Sequence, residues 1–349
     1  MTMIATSMNA NAIQAAQQAA RYECAACGTT LDSPRRVLRS GVACPFDLFR
    51  CADCGMVQQQ PRYTPAELSR LYSADYYVFE ESDAHRWARA VQQYMIHLAP
   101  LESHGERRLL DVGCALGHLS ALARARGWEV VGLDVSAEAA SQAAVRFGLE
   151  VRAGPLARHV DTLRRFDVVF LGDVIEHVPQ PALLLRDVRR ILATDGSVCI
   201  DTPNWGGFWR RWTGRRWIGL NRFHINFFDE RSLSHLAQAA GFGQIVASSY
   251  THYRYEGWGA RPELLAWVQR LPQALGWRVG RMLSRLGRHS AFGFLSSRPP
   301  ADEAAAIQLI RELALKNASR STSSERSGDN LTLRAVRGGL VQFRVDDSR

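Results

Sequence analysis

From Arg107 onward, short apolar runs alternate with longer stretches in which apolar residues recur at helical spacing. Arg108 to Val112, Trp128 to Leu133, Leu149 to Arg152, Phe166 to Leu171 and Gly196 to Asp201 read as strands, the third being the weakest. Leu116 to Arg126, Ala137 to Phe147 and Pro181 to Leu192 read as the helices between them. Strands separated by helix-length amphipathic segments predict parallel pairing with crossover helices, an α/β doubly wound sheet. Ligands of such sheets bind at the carboxyl ends of the strands, near the point where strand order reverses.

The flanking pattern divides the rest of the chain. Residues 1–20 are Ala, Gln and Asn-rich and predict a disordered tail. Residues 21–60 form a small cysteine-bearing module, and 61–105 a helical connector. In the connector, Thr64-Pro65-Ala66-Glu67 has the form of a capped helix start. Its aromatic cluster of Tyr72, Tyr76, Tyr77 and Phe79 suits packing the module onto the next domain, or a lid. The strand–helix core runs over 106–251, followed by a helical insertion at 252–318. A Ser, Arg and Gly-rich linker covers 319–329, and 330–349 holds a last strand at Asn330 to Val336 and a tail.

Composition narrows the class. A hydrophobic fraction of 46% over 349 residues supplies a sizeable core. No apolar run is long enough to span a bilayer, and the start lacks the basic and apolar regions of an export signal. The expectation is a cytoplasmic protein. Net charge is +9 and sequence pI about 9.5. Lys316 is the only lysine, so the positive charge is arginine. Arginine suits forked contacts to phosphate, and genome base composition explains the same bias.

The seven cysteines argue against a disulfide framework, being odd in number and without an export signal. Four fall in two pairs, Cys24-x-x-Cys27-Gly28 and Cys51-x-x-Cys54-Gly55. Two such turns bring four thiolates to the corners of a tetrahedron, zinc's usual structural geometry. A core of this size buries too little apolar surface alone, so metal supplies folding energy. With all four positions filled by protein, the site is structural. A redox pair or an iron–sulfur site is the rival, and Cys44 a substitute ligand without a CxxC partner. Cys114 and Cys199 belong to buried strand neighbourhoods.

The chemistry concentrates at the predicted strand ends. Asp111-Val112-Gly113-Cys114-Ala115-Leu116-Gly117 follows the first strand and opens the first helix. Gly113 and Gly117 let backbone approach a ligand closely, and the helix start offers amides to a carboxylate. Asp134 ends the second strand, about twenty residues on, where a carboxylate accepts both ribose hydroxyls of a nucleoside. A dehydrogenase fingerprint would need a glycine at Ala115.

The D-x-G-x-x-x-G spacing instead resembles the class I S-adenosylmethionine-dependent methyltransferases, a Rossmann-like family. Phe166 to Leu171 with Gly172-Asp173-Val174-Ile175-Glu176-His177 resembles its fourth-strand motif, and Leu192 to Ser197 the turn before its fifth strand. Asp201-Thr202-Pro203-Asn204 resembles that strand's end, and Phe227 to Phe242 the next helix and turn. With the front module, the likeness is to bacterial enzymes of polysaccharide and other glycan pathways. It implies a mostly parallel sheet with an antiparallel last strand. It also implies S-adenosyl-L-methionine held by Asp111, Gly113, Cys114, Gly117, Asp134, Val135, Gly154, Leu171 and Gly172. The chain departs from the family after the third strand, where Pro155 stands near the usual acidic contact to adenine.

Methyl transfer from a sulfonium needs alignment and, for a hydroxyl acceptor, a base. His177 and His224 are the candidates. In some branches of the family, a divalent metal sits at positions matching Asp173, Glu176 and His177, and His224 would complete such a set. Two histidines favour manganese, iron or zinc over magnesium. The alternative is that Glu176 pairs with an arginine. Phe208 to Phe223 carries Trp209, Trp212, Trp217, Arg210, Arg211, Arg215, Arg216 and Arg222 without an acid. Such a stretch stacks on sugars, grips phosphates or lies at a lipid interface. Pro262 to Arg288 continues the theme, either on an anionic membrane or capping the core. The expected acceptor is a small molecule or a glycan, such as a lipid-linked or nucleotide-linked sugar. RNA is the less favoured partner, and a non-catalytic binding protein the third reading. The oligomeric state is not legible in the residues.

Overall fold

A computed structural model describes residues 23–30, 35–40, 46–71, 82–102, 107–217, 219–250, 300–317 and 330–338. The tail, the linker, most of the insertion, Cys44 and the Tyr72–Phe79 aromatic cluster lie outside these residues.

Two sheets organise the molecule. The small one begins with β1 (Arg35–Leu38), β2 (Asp47–Arg50) and β3 (Val57–Gln60). The large one contains β4 (Arg108–Val112), β5 (Glu129–Asp134), β6 (Glu150–Ala153), β7 (Phe166–Gly172), β8 (Leu192–Pro203), β10 (Gly243–Tyr250) and β11 (Asn330–Val336). Its order is β10-β11-β8-β7-β4-β5-β6. Pairing is parallel from β6 to β8, and β11 runs antiparallel to both its neighbours. This is the expected doubly wound α/β sheet with an antiparallel strand. Order reverses at β4, which has β5 on one side and β7 on the other, so the binding crevice opens at their carboxyl ends.

The weak third strand is weak for a physical reason. β6 is an edge strand with exposed ends and a half-buried middle, so its residues carry less apolar signal than the mostly buried β4 and β7. The turn expected before the fifth strand is absorbed into β8. Phe166 pairs with Leu192 and Val168 with Ser197, so the residues between Leu192 and Ser197 bulge out of the ladder.

Helices cover both faces. On one face Leu110, Val131, Val169 and Ile200 pack with Leu185 and Val188 of helix Pro181–Ile191 and Leu233 and Leu236 of helix Glu230–Ala239. Cys24, Cys51, Cys54 and Met56 of the front module belong to this same cluster, so the module shares the core of the large sheet. On the other face Leu109, Phe170 and Cys199 meet Trp87, Tyr94 and Leu98 from the connector and Leu119 and Leu122 of helix His118–Ala125. Ala306, Leu309 and Ile310 of helix Glu303–Asn317 join them, so the end of the insertion is core, not a surface arm.

The connector starts as expected. Thr64 and Glu67 exchange bonds, Thr64 N–H to Oε2 at 2.6 Å and Glu67 N–H to Oγ1 at 3.3 Å, a capping box for helix Pro65–Leu71. Beyond expectation is β9 (Asn226–Phe227), which leaves the core domain and pairs with β3 as the fourth strand of the small sheet.

Candidate active site

The glycine loop and the carboxylate meet at the crevice. The Ala115 N–H donates to Asp134 Oδ2 at 2.9 Å, and the Ser136 N–H to Oδ1 at 2.9 Å. Gly113 N–H donates to Leu133 O at 2.7 Å, closing the first strand's loop onto the end of β5. Ala115 sits at φ 46, a left-handed conformation that the Asp134 bond helps to hold. Asp111 is buried against the Ser120 hydroxyl at 2.6 Å, and burial pushes its carboxyl up to about 6. Beside Asp134, Val135 is 63% exposed, an apolar surface facing solvent at a strand end. Gly154 N–H donates to Asp134 O at 2.7 Å and ties β6 to the same corner.

Four of the proposed cofactor positions also serve the packing of the protein itself. A Cβ on Gly113 would lie 2.4 Å from Val174 Cγ2, and one on Gly117 would lie 2.9 Å from Ala143 Cβ and Leu149 Cδ1. Both glycines therefore make room for protein side chains. Both also have positive φ, +77 and +80. Leu171 is fully buried in the core, and Cys114 packs its sulfur against Gly132.

The segment after β7 brings the two candidate bases together. The imidazoles of His177 and His224 are 4.7 Å apart, nearly perpendicular at 80°. Each Nδ1 contacts a backbone carbonyl, His177 that of Phe223 at 3.0 Å and His224 that of Gly219 at 2.8 Å. A carbonyl only accepts, so Nδ1 carries the proton and Nε2 keeps a lone pair in the neutral ring. Burial, then the neighbouring imidazole, push His177 well down, and burial pushes His224 down to about 4. Glu176 adds a carboxylate. Its Oε2 accepts the Thr202 hydroxyl at 2.9 Å, while Oε1 is buried without a hydrogen-bond partner, 3.9 Å from His177 Nε2. Burial, then Asp173, push its carboxyl well up.

One ligand atom from each of Glu176, His177 and His224 lies within 4.8 Å of the others. The orphaned Oε1 and the two oriented imidazoles fit a divalent cation of the nitrogen-tolerant kind. Asp173 stands apart from this set and pairs with Arg89 at 3.3 Å. Thr202, not an arginine, is the partner that Glu176 has.

Residues 79–246 match the family model described as a methyltransferase domain. Among the chain's relatives is the ubiquinone biosynthesis O-methyltransferase of Alkalilimnicola ehrlichii, 36% identical over 105 residues, covering 28% of this chain and 42% of that protein. The enzyme of the same name from Nitrosomonas europaea is 29% identical over 161 residues, 42% of this chain and 68% of that protein. The chain thus spans less than half the length of the first two relatives it matches. Of solved structures, a SAM-dependent methyltransferase from Archaeoglobus fulgidus aligns over 72% of this chain and 94% of that one, at 15% identity and TM-score 0.43. Haemonchus contortus phosphoethanolamine N-methyltransferase 2 with S-adenosyl-L-methionine aligns over 72% and 52%, at 15% identity and TM-score 0.39.

In front of the matched segment the four cysteines converge. Cys24 Sγ lies 3.5 Å from Cys54 Sγ, and Cys27 Sγ lies 3.6 Å from Cys51 Sγ. Sulfurs at zinc's usual bond length of about 2.3 Å sit about 3.8 Å apart at the corners of a tetrahedron, so the four fit a zinc ion closely. Without an ion the four are unequal: the bond from Cys54 brings Cys24 down to about 5, while Cys51 and Cys54 favour the neutral thiol. Burial pushes Cys51 up to about 11, and the bond to Cys24 together with burial pushes Cys54 higher still. A dication at the centre reverses that preference and holds all four as thiolates.

The basic aromatic stretch divides between core and surface. Trp205 and Trp217 are buried and pack with Phe227, while Phe208 (51%) and Trp212 (44%) are exposed on helix Phe208–Thr213 and touch at 5.6 Å. Arg210 lies 3.6 Å over the Trp205 ring, and burial brings its guanidinium down to about 10. The residues that sequence reasoning missed are second partners: Thr202, Asn221, whose Oδ1 accepts the Phe223 and His224 amides, and Asn226. Only Asn221, three residues before a histidine in a loop, carried a readable sign.

Proposed function

We propose that the chain transfers a methyl group from S-adenosylmethionine to a hydroxyl of a small-molecule or glycan acceptor. The observation that carries the reading is the Ala115–Asp134 bond, which joins a glycine loop and a carboxylate at the switch point of the sheet. When bound, S-adenosylmethionine supplies an already activated methyl group. The helix beginning at His118 offers its first amides to the donor's carboxylate end. Asp134 takes the ribose hydroxyls, and exposed Val135 gives the adenine an apolar face. Gly154 adds backbone at the same corner, where Pro155 replaces the family's acidic contact.

His177 and His224 stand as the acceptor-side groups. Neutral at pH 7, each presents Nε2 to a hydroxyl proton, with Nδ1 held by carbonyl oxygen. In the alternative, Glu176, His177 and His224 would hold a divalent cation through those same Nε2 lone pairs, and the cation would take the place of a base by polarising the acceptor oxygen. The relatives' name supports O-directed transfer to a small molecule. The sugar reading, with a lipid-linked or nucleotide-linked saccharide, draws on the aromatic and arginine surface near Trp205. Exposed Phe208 and Trp212 beside exposed Arg211 and Arg215 suit a peripheral contact with an anionic membrane.

The test is transfer of labelled methyl from the donor to extracts of the source cells, split into glycolipid, small-molecule and RNA fractions. Label in glycolipid or small molecules supports the proposal, and label confined to RNA overturns it. Calorimetry with the zinc-loaded chain that detects no donor binding identifies a non-catalytic binding protein. Unchanged turnover in EDTA removes the second cation. Flotation with phosphatidylglycerol vesicles, lost in Trp212→Ala, tests the membrane contact.

A further inference from the structure

Among the described residues, the two sheets are joined by one short ladder. Val57 pairs with Phe227 and Gln58 with Asn226, and the Gln59 N–H donates to Ile225 O at 2.9 Å. Gln58 is the pivot of this seam. Its side chain, 1% exposed, is spent on the first cysteine knuckle. Nε2 donates to Glu23 O at 2.8 Å, and Oε1 accepts the Ala25 N–H at 2.8 Å. A buried amide left unpaired costs about 1–3 kcal/mol, so a glutamine at this position is stable only while the knuckle meets it.

The other side of the ladder is gripped as firmly. Asn226, 3% exposed, donates through Nδ2 to Val178 O at 2.7 Å, and its own N–H and that of Ile225 both donate to Glu176 O at 3.0 Å. His224 is two residues before Asn226, and His177 lies between Glu176 and Val178. Arg62, just past β3, reinforces the contact by donating to Pro179 O at 2.8 Å. The Cys24–Cys27 knuckle is thus bonded to the Gln58 side chain, β3 is bonded to β9 beside the Gln58–Asn226 pair through Gln59 N–H and Ile225 O, and Asn226 is bonded to the backbone on either side of His177.

We propose that Gln58 is a positioning residue that transmits the state of the four-cysteine site to the His177–His224 pair. With the thiolates drawn around zinc, the knuckle holds the Gln58 amide, and β3 holds β9 in register. When the thiolates are released, the knuckle loosens, β9 shifts, and the imidazoles lose their spacing. The inference rests on the proposed methyl transfer only for its kinetic readout.

The experiment compares imidazole carbon–proton resonances of the full chain, wild type and variants, with zinc content measured on the same samples. Gln58→Ala keeps one zinc per chain and moves the His177 and His224 signals, leaving His118 and His235 in place. Stripping zinc from the wild type moves the same two signals. Turnover in Gln58→Ala falls about tenfold to a hundredfold, the scale of a misplacement on the order of 1 Å, with the KM for the methyl donor within twofold. Gln58→Glu keeps the acceptor for the Ala25 amide and falls between. If Gln58→Ala fails to fold or loses zinc, Asn226→Ser replaces it, since it leaves the knuckle intact and withdraws the donor to Val178 O. Zinc-loaded variants with both signals at their wild-type positions overturn the proposal, as does a zinc-stripped wild type whose histidines all move alike. Signals that move as expected in a chain without methyl transfer would sink the proposed activity and leave this coupling standing.

Discussion

Gly113→Ala separates two reasons for a glycine in the first loop. At φ +77 an added Cβ forces a left-handed alanine, about 1–2 kcal/mol. That Cβ also falls 2.4 Å from Val174 Cγ2, so the valine must retreat by roughly 1 Å, and overpacking of that size costs about 1–3 kcal/mol. The expected destabilisation is therefore about 2–5 kcal/mol before any ligand is present. Val174 is partly buried, and Val174→Ala alone should cost about 1 kcal/mol. In the double variant the clash disappears and only the backbone strain remains, so the two losses fall short of additivity by about 1–3 kcal/mol. Urea midpoints of the four zinc-loaded proteins, with unchanged slopes, measure this. Calorimetry with S-adenosylmethionine on the same samples measures affinity. A Gly113→Ala protein within about 0.5 kcal/mol of wild type but unable to bind the donor would refute the packing argument. So would strict additivity with Val174→Ala.

Further predictions follow from the other contacts. Asp134→Asn places an amide N–H against one of the two backbone donors that the carboxylate now accepts, at a cost of about 1.5–3 kcal/mol of stability. Donor affinity in calorimetry should fall at least about tenfold with the lost ribose contact. The four cysteines should bind one zinc per chain. At a thousandfold excess over Kd the ion stabilises by about 4 kcal/mol, seen as a lower melting temperature after verified removal. Glu176 has a raised carboxyl in the folded chain, so in metal-free protein its contribution is present below the unfolded value near 4.5 and is lost as pH rises through the folded one. Glu176→Gln should therefore gain stability on the wild type as pH rises, and urea midpoints that run parallel across pH would contradict this. Added manganese, which selects the ionised carboxylate, should narrow the gap in a thermal shift.

The fold was legible where one element decides its own pattern. Ala137 to Phe147 and Asn330 to Val336 agree with the expected bounds to the residue, because a capped helix and a buried strand each carry their period locally. The cysteine pairs were legible for the same reason, since CxxC spacing is itself the geometry. The glycine loop was legible as a position, and its packing role was not. A glycine in sequence says only that a Cβ is unwelcome, and Val174, Ala143 and Leu149 come from other elements. The pairing of β3 with β9 was invisible, because two residues, Asn226 and Phe227, carry no period and their partners lie far back in the chain. Glu176, His177 and His224 were each singled out, but only tertiary placement could exchange Asp173 for His224 in the cluster.

The Gly113–Val174 contact has a meaning beyond stability. β4 and β5 carry the glycine loop and Asp134, while β7 and β8 carry Glu176, His177 and Thr202 at or just beyond their ends. The two halves part at the switch point, and Val174, three residues before His177, is the side chain that bridges them by filling the space over Gly113. The His177 N–H donates to Val174 O at 3.0 Å, so the valine backbone and the histidine turn as one unit. A side chain forced into Gly113 would therefore press on the acceptor-side segment through Val174, as well as on its own loop. The half with the glycine loop and Asp134 and the half with the two histidines are thus set against each other by direct packing, and β9, paired with the front module's β3, fixes the far side of the same segment through Asn226. Held between these two contacts, the His177 turn has little freedom of its own, which suits the in-line transfer proposed above, where acceptor oxygen and methyl carbon must be kept at one distance.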